Sequence, residues 1–144
     1  MCREDGKRPD GITLVPWSRG KLMVWDVTCV DTLAQSHLHL TVENAGGAAD
    51  DAERRKKEKY LFLGANYEFV PLGFETFGSW GAEAKDLVRQ IGKKIAERSG
   101  ERRSTDFLRQ RISIEIQRGN SVSVFGTLPE SRELEEVFYV VKAK

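Results

Sequence analysis

The segment RPDGITLVPWSRGKLMVWDVTCVD, residues 8–31, contains two apolar runs and decides the architecture predicted for the chain. The runs, residues 12–17 and 21–30, are joined by the polar tripeptide Ser18-Arg19-Gly20, which predicts an antiparallel β-hairpin. Two carboxylates interrupt the pattern, because Asp10 opens the first strand and Asp26 lies in the middle of the second. Their presence in segments that are about to be buried needs a physical reason.

The second run is apolar on both sides of a strand. Alternation places Asp26 on one face, and the side chains that share this face are Leu22, Val24, Thr28 and Val30. The other face carries Met23, Trp25, Val27 and Cys29. Two apolar faces are typical of an interior strand covered from both sides. An ionised Asp26 in that setting costs several kcal/mol unless it is paired, so we expect it to have a partner.

The rest of the chain predicts helices packed on this hairpin. A helix is predicted over residues 48–63 and a strand over 67–74, in which Pro71 indicates an edge position or a strand end. Further helices are predicted over residues 82–98 and 103–117, whereas residues 32–47 are weakly patterned and 120–128 fit either a strand or a helix. This order predicts an α/β layer fold. A hairpin at the start, with no glycine-rich phosphate-binding motif, excludes a Rossmann unit and a P-loop domain.

Length and composition bound the class of protein. The 144 residues predict one domain spanning residues 1–144, with 119–144 the least clearly assigned part. The net charge of +1 indicates no polyanionic partner by itself, and two cysteines support neither a disulfide framework nor a zinc cluster. No apolar run suits a membrane span or a signal peptide, which predicts an intracellular protein without membrane contact. The short lead-in before the hairpin leaves open whether the chain belongs to a longer one.

The two aspartates of the hairpin are predicted to converge. With a turn at residues 18–20, Trp17 pairs with Lys21 and Asp10 falls opposite Thr28. Asp10 and Asp26 are then diagonal neighbours on one sheet face, with Cβ atoms about 7–8 Å apart. Two carboxylates at that separation can share a divalent ion, and Mg²⁺ commonly uses one or two protein carboxylates while water and phosphate oxygens complete its shell.

The helix over residues 48–63 adds a cation to this group. A helical projection centred on Ala52 places Lys56 and Lys59 on the core-facing stripe, while Glu53, Arg54, Lys57 and Glu58 point elsewhere. Two carboxylates and a lysine suit metal-dependent phosphodiester hydrolysis, in which the metal activates water and the lysine orients it or stabilises developing charge. The residues themselves therefore indicate a hydrolytic site at the sheet.

The order of these residues resembles a known superfamily. Arg8-Pro9-Asp10, Asp26-Val27-Thr28 and Lys56 followed by Lys59-Tyr60 resemble the PD-(D/E)XK restriction-like nucleases. More closely, they resemble the endonuclease domain that follows the reverse transcriptase in certain non-LTR retrotransposons. In that branch the lysine lies on the following helix within a K-x-x-K-Y motif. The segment FVPLGFETFGSW, residues 69–80, is also similar, and the resemblance spans roughly residues 7–118.

The resemblance implies a restriction-endonuclease-like mixed sheet and a specific set of roles. Asp10 and Asp26 would bind Mg²⁺ or Mn²⁺, and Lys56 would be the catalytic lysine. Lys59 would support it or contact DNA, and Arg8 would contact a phosphate. The implied activity is cleavage of one strand of target DNA in the nucleus, with a reverse transcriptase domain in the same polyprotein as partner. The branch often has a glutamate after its DVT motif, where this chain has Asp31 and Thr32.

Several alternatives stay open at this point. Asp26 could form a purely structural salt bridge with Lys56 or Lys59, because ion-pair networks imitate active sites. Phe77 and Trp80 fit the core better than a base-stacking surface. The arginines of the last predicted helices fit either DNA contact or an exposed helix face. At the level of function, the alternative to a nuclease is a DNA-binding or interaction module that keeps the fold without turnover.

Overall fold

The computed structural model describes residues 8–127, so the predictions for residues 128–144 lie outside the described part. Its elements, in chain order, are β1 (Gly11–Ile12), β2 (Leu22–Val30), α1 (Leu38–Glu43), α2 (Gly47–Lys59), a 3₁₀ turn (Leu61–Ala65), β3 (Tyr67–Glu75), α3 (Ala82–Ser99) and α4 (Ser104–Phe125). The predicted mixed α/β class with a hairpin and flanking helices is confirmed. The narrower restriction-like fold stays a prediction.

The sheet has the order β1-β2-β3, with β2 in the centre. β1 runs antiparallel to β2, while β3 runs parallel to it over the full length of both strands. The prediction that residues 21–30 form an interior strand is therefore confirmed for Leu22–Val30. Pro71 lies in β3, at an edge of the sheet formed by the described residues, where its missing N–H interrupts no ladder.

The two faces of β2 contact different helices, as the alternation predicted. Met23 packs with Val70 of β3 and Leu87 of α3 on one side. Val24 packs with Tyr60 and Leu63, directly after α2, on the other. Asp26 shares the parity of Val24 and therefore lies on the side of α2. The core is thus two thin layers on either side of one sheet.

The first arm of the hairpin differs from the prediction. Only Gly11–Ile12 of this arm is a strand, and Gly11 pairs with Trp25. The Trp17 N–H still donates to the Lys21 carbonyl oxygen at 2.8 Å, but the Thr13 N–H donates to that of Met23 at 2.9 Å. The arm therefore carries two more residues than β2 between these bonds and bulges outward. Proline at position 16 has no N–H for the ladder, which fits a break in pairing there.

Helix boundaries follow the predictions apart from three differences. The helix expected over residues 48–63 ends at Lys59 and continues as the 3₁₀ turn. The last helix extends to Phe125, which takes most of the ambiguous segment into α4. A short helix, Leu38–Glu43, lies within the weakly patterned segment. It buries none of its residues, and this explains why it leaves no amphipathic signal in the sequence.

Two buried glutamates cap the main helices from across the fold. Glu75, at the end of β3 and 1% exposed, accepts hydrogen bonds from the Ala48 and Ala49 N–H groups in the first turn of α2. Glu53 of α2, 3% exposed, accepts bonds from Glu83 and Ala84 in the first turn of α3. Such carboxylates satisfy N–H groups that a helix leaves unpaired and favour its positive end.

The prediction that Glu53 points away from the core is wrong. Its carboxylate also accepts the Gly73 N–H of β3 at 2.9 Å, so it joins three elements. Glycine at position 81 leaves room for it, because a Cβ there would lie 2.3 Å from the carboxylate carbon and from one of its oxygens. The helical projection treated Glu53 as solvent-facing because it considers α2 alone. It contains no information on the N-terminus of α3, whose N–H groups bind this carboxylate.

Replacement of Glu53 by Gln is expected to lower the free energy of unfolding by about 1–3 kcal/mol, because an amide N–H₂ would face a backbone donor. The matched control is Glu58→Gln on the exposed side of the same helix, expected to change stability by less than about 0.5 kcal/mol. Urea unfolding followed by circular dichroism measures both. Equal stabilities of the two variants would contradict the capping role.

The pH dependence of this effect has a defined sign. Burial raises the pKa of Glu53 above its ordinary value of 4.5, against the lowering effect of its backbone hydrogen bonds. When a group has a higher pKa in the folded than in the unfolded state, the folded state binds more protons at pH values between the two pKa values. The free energy of unfolding therefore falls as the pH rises through this range. The advantage of wild type over Glu53→Gln should therefore be largest near about pH 4 and shrink toward the raised pKa. An advantage that grows with pH would contradict this assignment.

The approach of α3 to α4 generates a second prediction. A Cβ at Gly92 would lie 2.6 Å from the Cα of Thr105, whereas a Cβ at Gly119 meets nothing within 4 Å. Gly92→Ala is expected to destabilise the fold by about 1–3 kcal/mol through overpacking. Gly119→Ala, the same change in α4, is expected to stabilise it by up to about 1 kcal/mol through helix propensity. Thermal unfolding of both variants tests whether the helices are this close.

Candidate functional site

Asp26 and Lys56 meet beneath the sheet. Asp26 lies at the centre of β2 with 5% of its side chain exposed, and its Oδ2 accepts a hydrogen bond from the Nζ of Lys56. The side chain of Lys56 is 26% exposed. The structure therefore brings together the carboxylate and the ammonium group that the sequence placed on facing stripes.

The local sequence explains why α2 lies close enough for this contact. A Cβ at Gly73 of β3 would lie 2.6 Å from the carbonyl oxygen of Ala49, so the helix backbone sits almost directly on the sheet. Ala48 and Ala49 are both buried at this contact. Small residues at the start of α2 thus seat the helix, and Lys56, two turns later, reaches the strand. Arg54, Lys57 and Glu58 are exposed, as predicted.

Asp10 lies immediately before the edge strand β1 and bonds to β2 on both sides of Asp26. Its N–H donates to the Trp25 carbonyl oxygen at 3.1 Å, and its Oδ2 accepts the Val27 N–H at 2.6 Å. The predicted register, with Asp10 opposite Thr28, is wrong. Gly11 pairs with Trp25, and the Asp10 N–H donates to the carbonyl oxygen of the same tryptophan, so Asp10 lies near Trp25 rather than Thr28 and its carboxylate reaches the N–H of the residue after Asp26.

The register of the hairpin is shifted by two residues from the prediction, since Gly11 pairs with Trp25 and not with Val27. The bulge in the first arm of the hairpin causes this shift in register, and the turn at residues 18–20 does not predict it. A Cβ at Gly11, the residue between Asp10 and Ile12, would lie 2.2 Å from the Trp25 ring, so this position needs a glycine. Asp10 is exposed whereas Asp26 is buried.

The donor set fits a hard divalent cation with few protein ligands. Within residues 8–127, the Oδ1 atoms of Asp10 and Asp26 accept no hydrogen bond, so each carboxylate keeps one oxygen available. No group of three or more histidine, cysteine, aspartate or glutamate side chains suited to a metal is present in this part of the chain. Two carboxylate oxygens with water and phosphate completing the shell is an ordinary arrangement for Mg²⁺.

The remaining predicted site residues are placed at two positions. Arg8 and Asp10 line an open cleft of about 480 Å³ along the edge strand, together with Ile12 and Val24. Lys59 lies one turn after Lys56 on the same side of α2, and its Nζ is 4.7 Å from the centre of the Tyr60 ring. The cleft therefore brings Arg8 together with Asp10, whereas Asp26 and Lys56 are not among the residues that line it. Lys59 does not line it either.

Other polar groups near the pair have different roles. Asp31, considered as a third acid, has its Oδ1 occupied by the Leu33 N–H at 3.0 Å in a local turn. Thr28 follows Asp26 on the same face, and its buried Oγ1 has no hydrogen-bond partner among residues 8–127. The sequence indicated only that position 28 lacks the lysine of the wider superfamily. That its hydroxyl would be buried and unpaired has no signal in the sequence.

The two aromatic residues after β3 are placed differently from each other. Trp80 is 7% exposed and packs edge-to-face on Phe74, which confirms the expected core position. Phe77 is 66% exposed, so its expected core position is wrong. It lies in the turn between β3 and α3, and neither sequence spacing nor hydropathy distinguishes it from Trp80.

Comparison of the chain with protein-family models, with curated proteins and with solved structures finds no match. No helix within residues 8–127 is long and apolar enough to cross a membrane. The roles of Asp10, Asp26, Lys56, Arg8 and Lys59 are accordingly argued from their placement and chemistry.

A double-mutant cycle measures how strongly Asp26 depends on Lys56. Lys56→Met leaves a buried carboxylate without its cation, and we expect a loss of about 1–3 kcal/mol in the free energy of unfolding. The double variant Asp26→Asn/Lys56→Met should cost less than the sum of its single changes, because neither charge is then left unpaired. Lys57→Met, which removes an exposed ion pair with Glu83, is the control and should cost less than about 0.5 kcal/mol. Additive single changes would mean that the two groups do not interact.

Proposed function

We propose that this protein is a metal-dependent DNA endonuclease that cleaves one strand of its target. The observation that carries the proposal is the contact of Lys56 with the buried Asp26 in β2, where the N–H of the next residue, Val27, donates to the carboxylate of Asp10 beside an open cleft. Two carboxylates can hold a metal ion, and a neighbouring ammonium group can stabilise developing negative charge, so these groups suit phosphodiester hydrolysis. The sequence order of the same residues supports this reading independently of their placement.

Each residue has a role that follows from its position. Asp10 and Asp26 would hold Mg²⁺ or Mn²⁺ through their available Oδ1 atoms. When bound, the metal supplies a water of lowered pKa and neutralises charge on the phosphate. Lys56 donates a hydrogen bond from beneath the carboxylates and can orient a hydroxyl or stabilise an anionic oxygen. Arg8, on the wall of the cleft, is placed to bind a phosphate of the DNA backbone.

Lys56 also explains how the site folds before any cation arrives. Two adjacent carboxylates repel each other, and Asp26 is buried where that repulsion is poorly screened. The ammonium group of Lys56 offsets one of the two negative charges. The protein can therefore neutralise Asp26 without metal, and Asp10 would be the exposed ligand of a bound cation.

The biological setting is part of the same proposal. The order of the motifs supports a restriction-like nuclease of the kind that nicks target DNA for retrotransposon integration. A reverse transcriptase domain would be its partner in the polyprotein, and the nucleus would be its place of action. Lys59 would then add a DNA contact next to Lys56.

A second candidate function is a DNA-binding or interaction module without catalytic turnover. It is favoured by one observation, namely that an Asp26–Lys56 ion pair with two rather than three acidic ligands also suits a purely structural role. The two functions differ in what Asp26→Asn changes. A nuclease loses cleavage and keeps DNA binding, whereas a module shows binding without cleavage in either protein.

Conversion of supercoiled plasmid to nicked circles in Mg²⁺ or Mn²⁺ tests the proposal. Asp26→Asn and Asp10→Asn are each expected to reduce nicking by about 100-fold or more, since each removes a metal ligand, and Lys56→Met by about 100-fold. Asp106→Asn and Lys57→Met are matched exposed controls and should nick like wild type. Mn²⁺ binding, followed by electron paramagnetic resonance, should weaken in both aspartate variants. Nicking that persists in Asp26→Asn would refute the assignment.

A further inference from the structure

A second cleft lies between the beginning of α3, the first half of α4 and the turn that follows β3. Its volume is about 750 Å³, and the residues that line it include Gly78, Ser79, Lys85, Arg89, Thr105 and Arg109. Its walls are therefore cationic and hydroxyl-bearing. None of the residues proposed for cleavage lines it.

The positive charge of this cleft is only partly balanced. Arg89 pairs with Asp86, which also lines the cleft. Neither Lys85 nor Arg109 forms an ion pair within residues 8–127, and both are exposed. Residues 82–127 as a whole carry ten lysines and arginines against six aspartates and glutamates. An anionic ligand would supply the charge that the protein does not.

An exposed aromatic side chain adjoins this charge. Phe77, 66% exposed, directly precedes Gly78 of the cleft wall. Its N–H donates to the Thr32 Oγ1 at 3.1 Å, and the carbonyl oxygen of the preceding Thr76 accepts the Asn120 side-chain N–H at 2.6 Å. The Gly78 N–H closes the turn on the Glu75 carbonyl oxygen at 2.8 Å, with a positive φ of 96°. These three hydrogen bonds fix the backbone of the turn, and in this conformation the side chain of Phe77 is exposed.

The cleft lies on the opposite side of the sheet from the candidate cleavage site. α3 packs on the face of β2 that carries Met23, and α4 packs against α3 and the end of β3. Asp26 has the other parity and contacts α2. A ligand in this cleft would therefore bind independently of the carboxylates.

We propose that this cleft binds single-stranded nucleic acid, with backbone phosphates on Lys85 and Arg109 and a base stacked on Phe77. A cationic groove beside an exposed aromatic ring is the usual means of holding a single strand, since every base has a face that can stack. A duplex would use the cations alone because its bases are already stacked. An acidic peptide would likewise gain little from the ring.

Fluorescence anisotropy with the full-length chain in EDTA tests the proposal, because cleavage is then suppressed. The probes are labelled 20-nucleotide poly(dT) and poly(U), a duplex of equal length and heparin. Lys85→Gln/Arg109→Gln should weaken binding of the single strands about tenfold or more and lower the salt dependence, log K against log salt, by about 1.4. Arg98→Gln/Arg102→Gln, the same charge change on exposed arginines outside the cleft, should have a much smaller effect. Relative affinities for poly(dT) and poly(U) show whether the 2′-hydroxyl matters.

Phe77→Ala separates nucleic acid from other polyanions. It should weaken single-strand binding about fivefold or more while leaving heparin binding unchanged, because heparin has no bases to stack. Equal losses from the cleft variant and the Arg98/Arg102 control, or an unchanged affinity in Phe77→Ala, would overturn the proposal. Circular dichroism confirms that each variant folds. Plasmid nicking by the cleft variants reports on the proposed nuclease separately, so either proposal can fail without the other.

Discussion

The need to neutralise a carboxylate buried in the central strand organises one side of this protein. Asp26 lies between an edge strand and α2, in a position where an unpaired charge would cost several kcal/mol. Lys56 meets that need, but only because Gly73 and Ala49 let the helix backbone approach the sheet closely. The small residues at the start of α2 and the position of Lys56 on its core-facing stripe therefore act together to neutralise Asp26.

Three acidic side chains are buried within residues 8–127, and their partners distinguish them. Glu53 and Glu75 accept hydrogen bonds from backbone N–H groups at the beginnings of α3 and α2, so their carboxylates serve as helix caps. Asp26 is held by the side chain of Lys56, and the next residue along β2, Val27, donates its N–H to the carboxylate of Asp10. Backbone N–H groups hold Glu53 and Glu75 as helix caps, whereas Asp26 is held by a lysine side chain, and it is for Asp26 that we propose a chemical role.

The two proposed sites use the opposite faces of the same thin sheet. The edge cleft combines Asp10 with Arg8, and we propose that it takes a phosphodiester. The cleft at α3 and α4 combines unpaired cations with Phe77 and suits a strand that is held without chemistry. A protein that nicks a duplex and must then manage a freed strand would need both kinds of surface. The sheet keeps them apart while fixing each to a rigid element.

The sequence alone determined the interior strand, the side on which each of its residues lies, and the pairing of Asp26 with a lysine of α2, because alternation and helical periodicity are local properties. The same rules correctly placed β3, α3 and the exposed Arg54, Lys57 and Glu58 of α2. Only the tertiary structure decided the hairpin register, the burial of Glu53 and the exposure of Phe77. Each depends on a contact between distant segments: a bulge facing Met23, a helix start at Ala84, and a turn tied to Thr32 and Asn120. Such contacts leave no periodic signal, since nothing in a residue's own neighbourhood reports which remote backbone group it will meet.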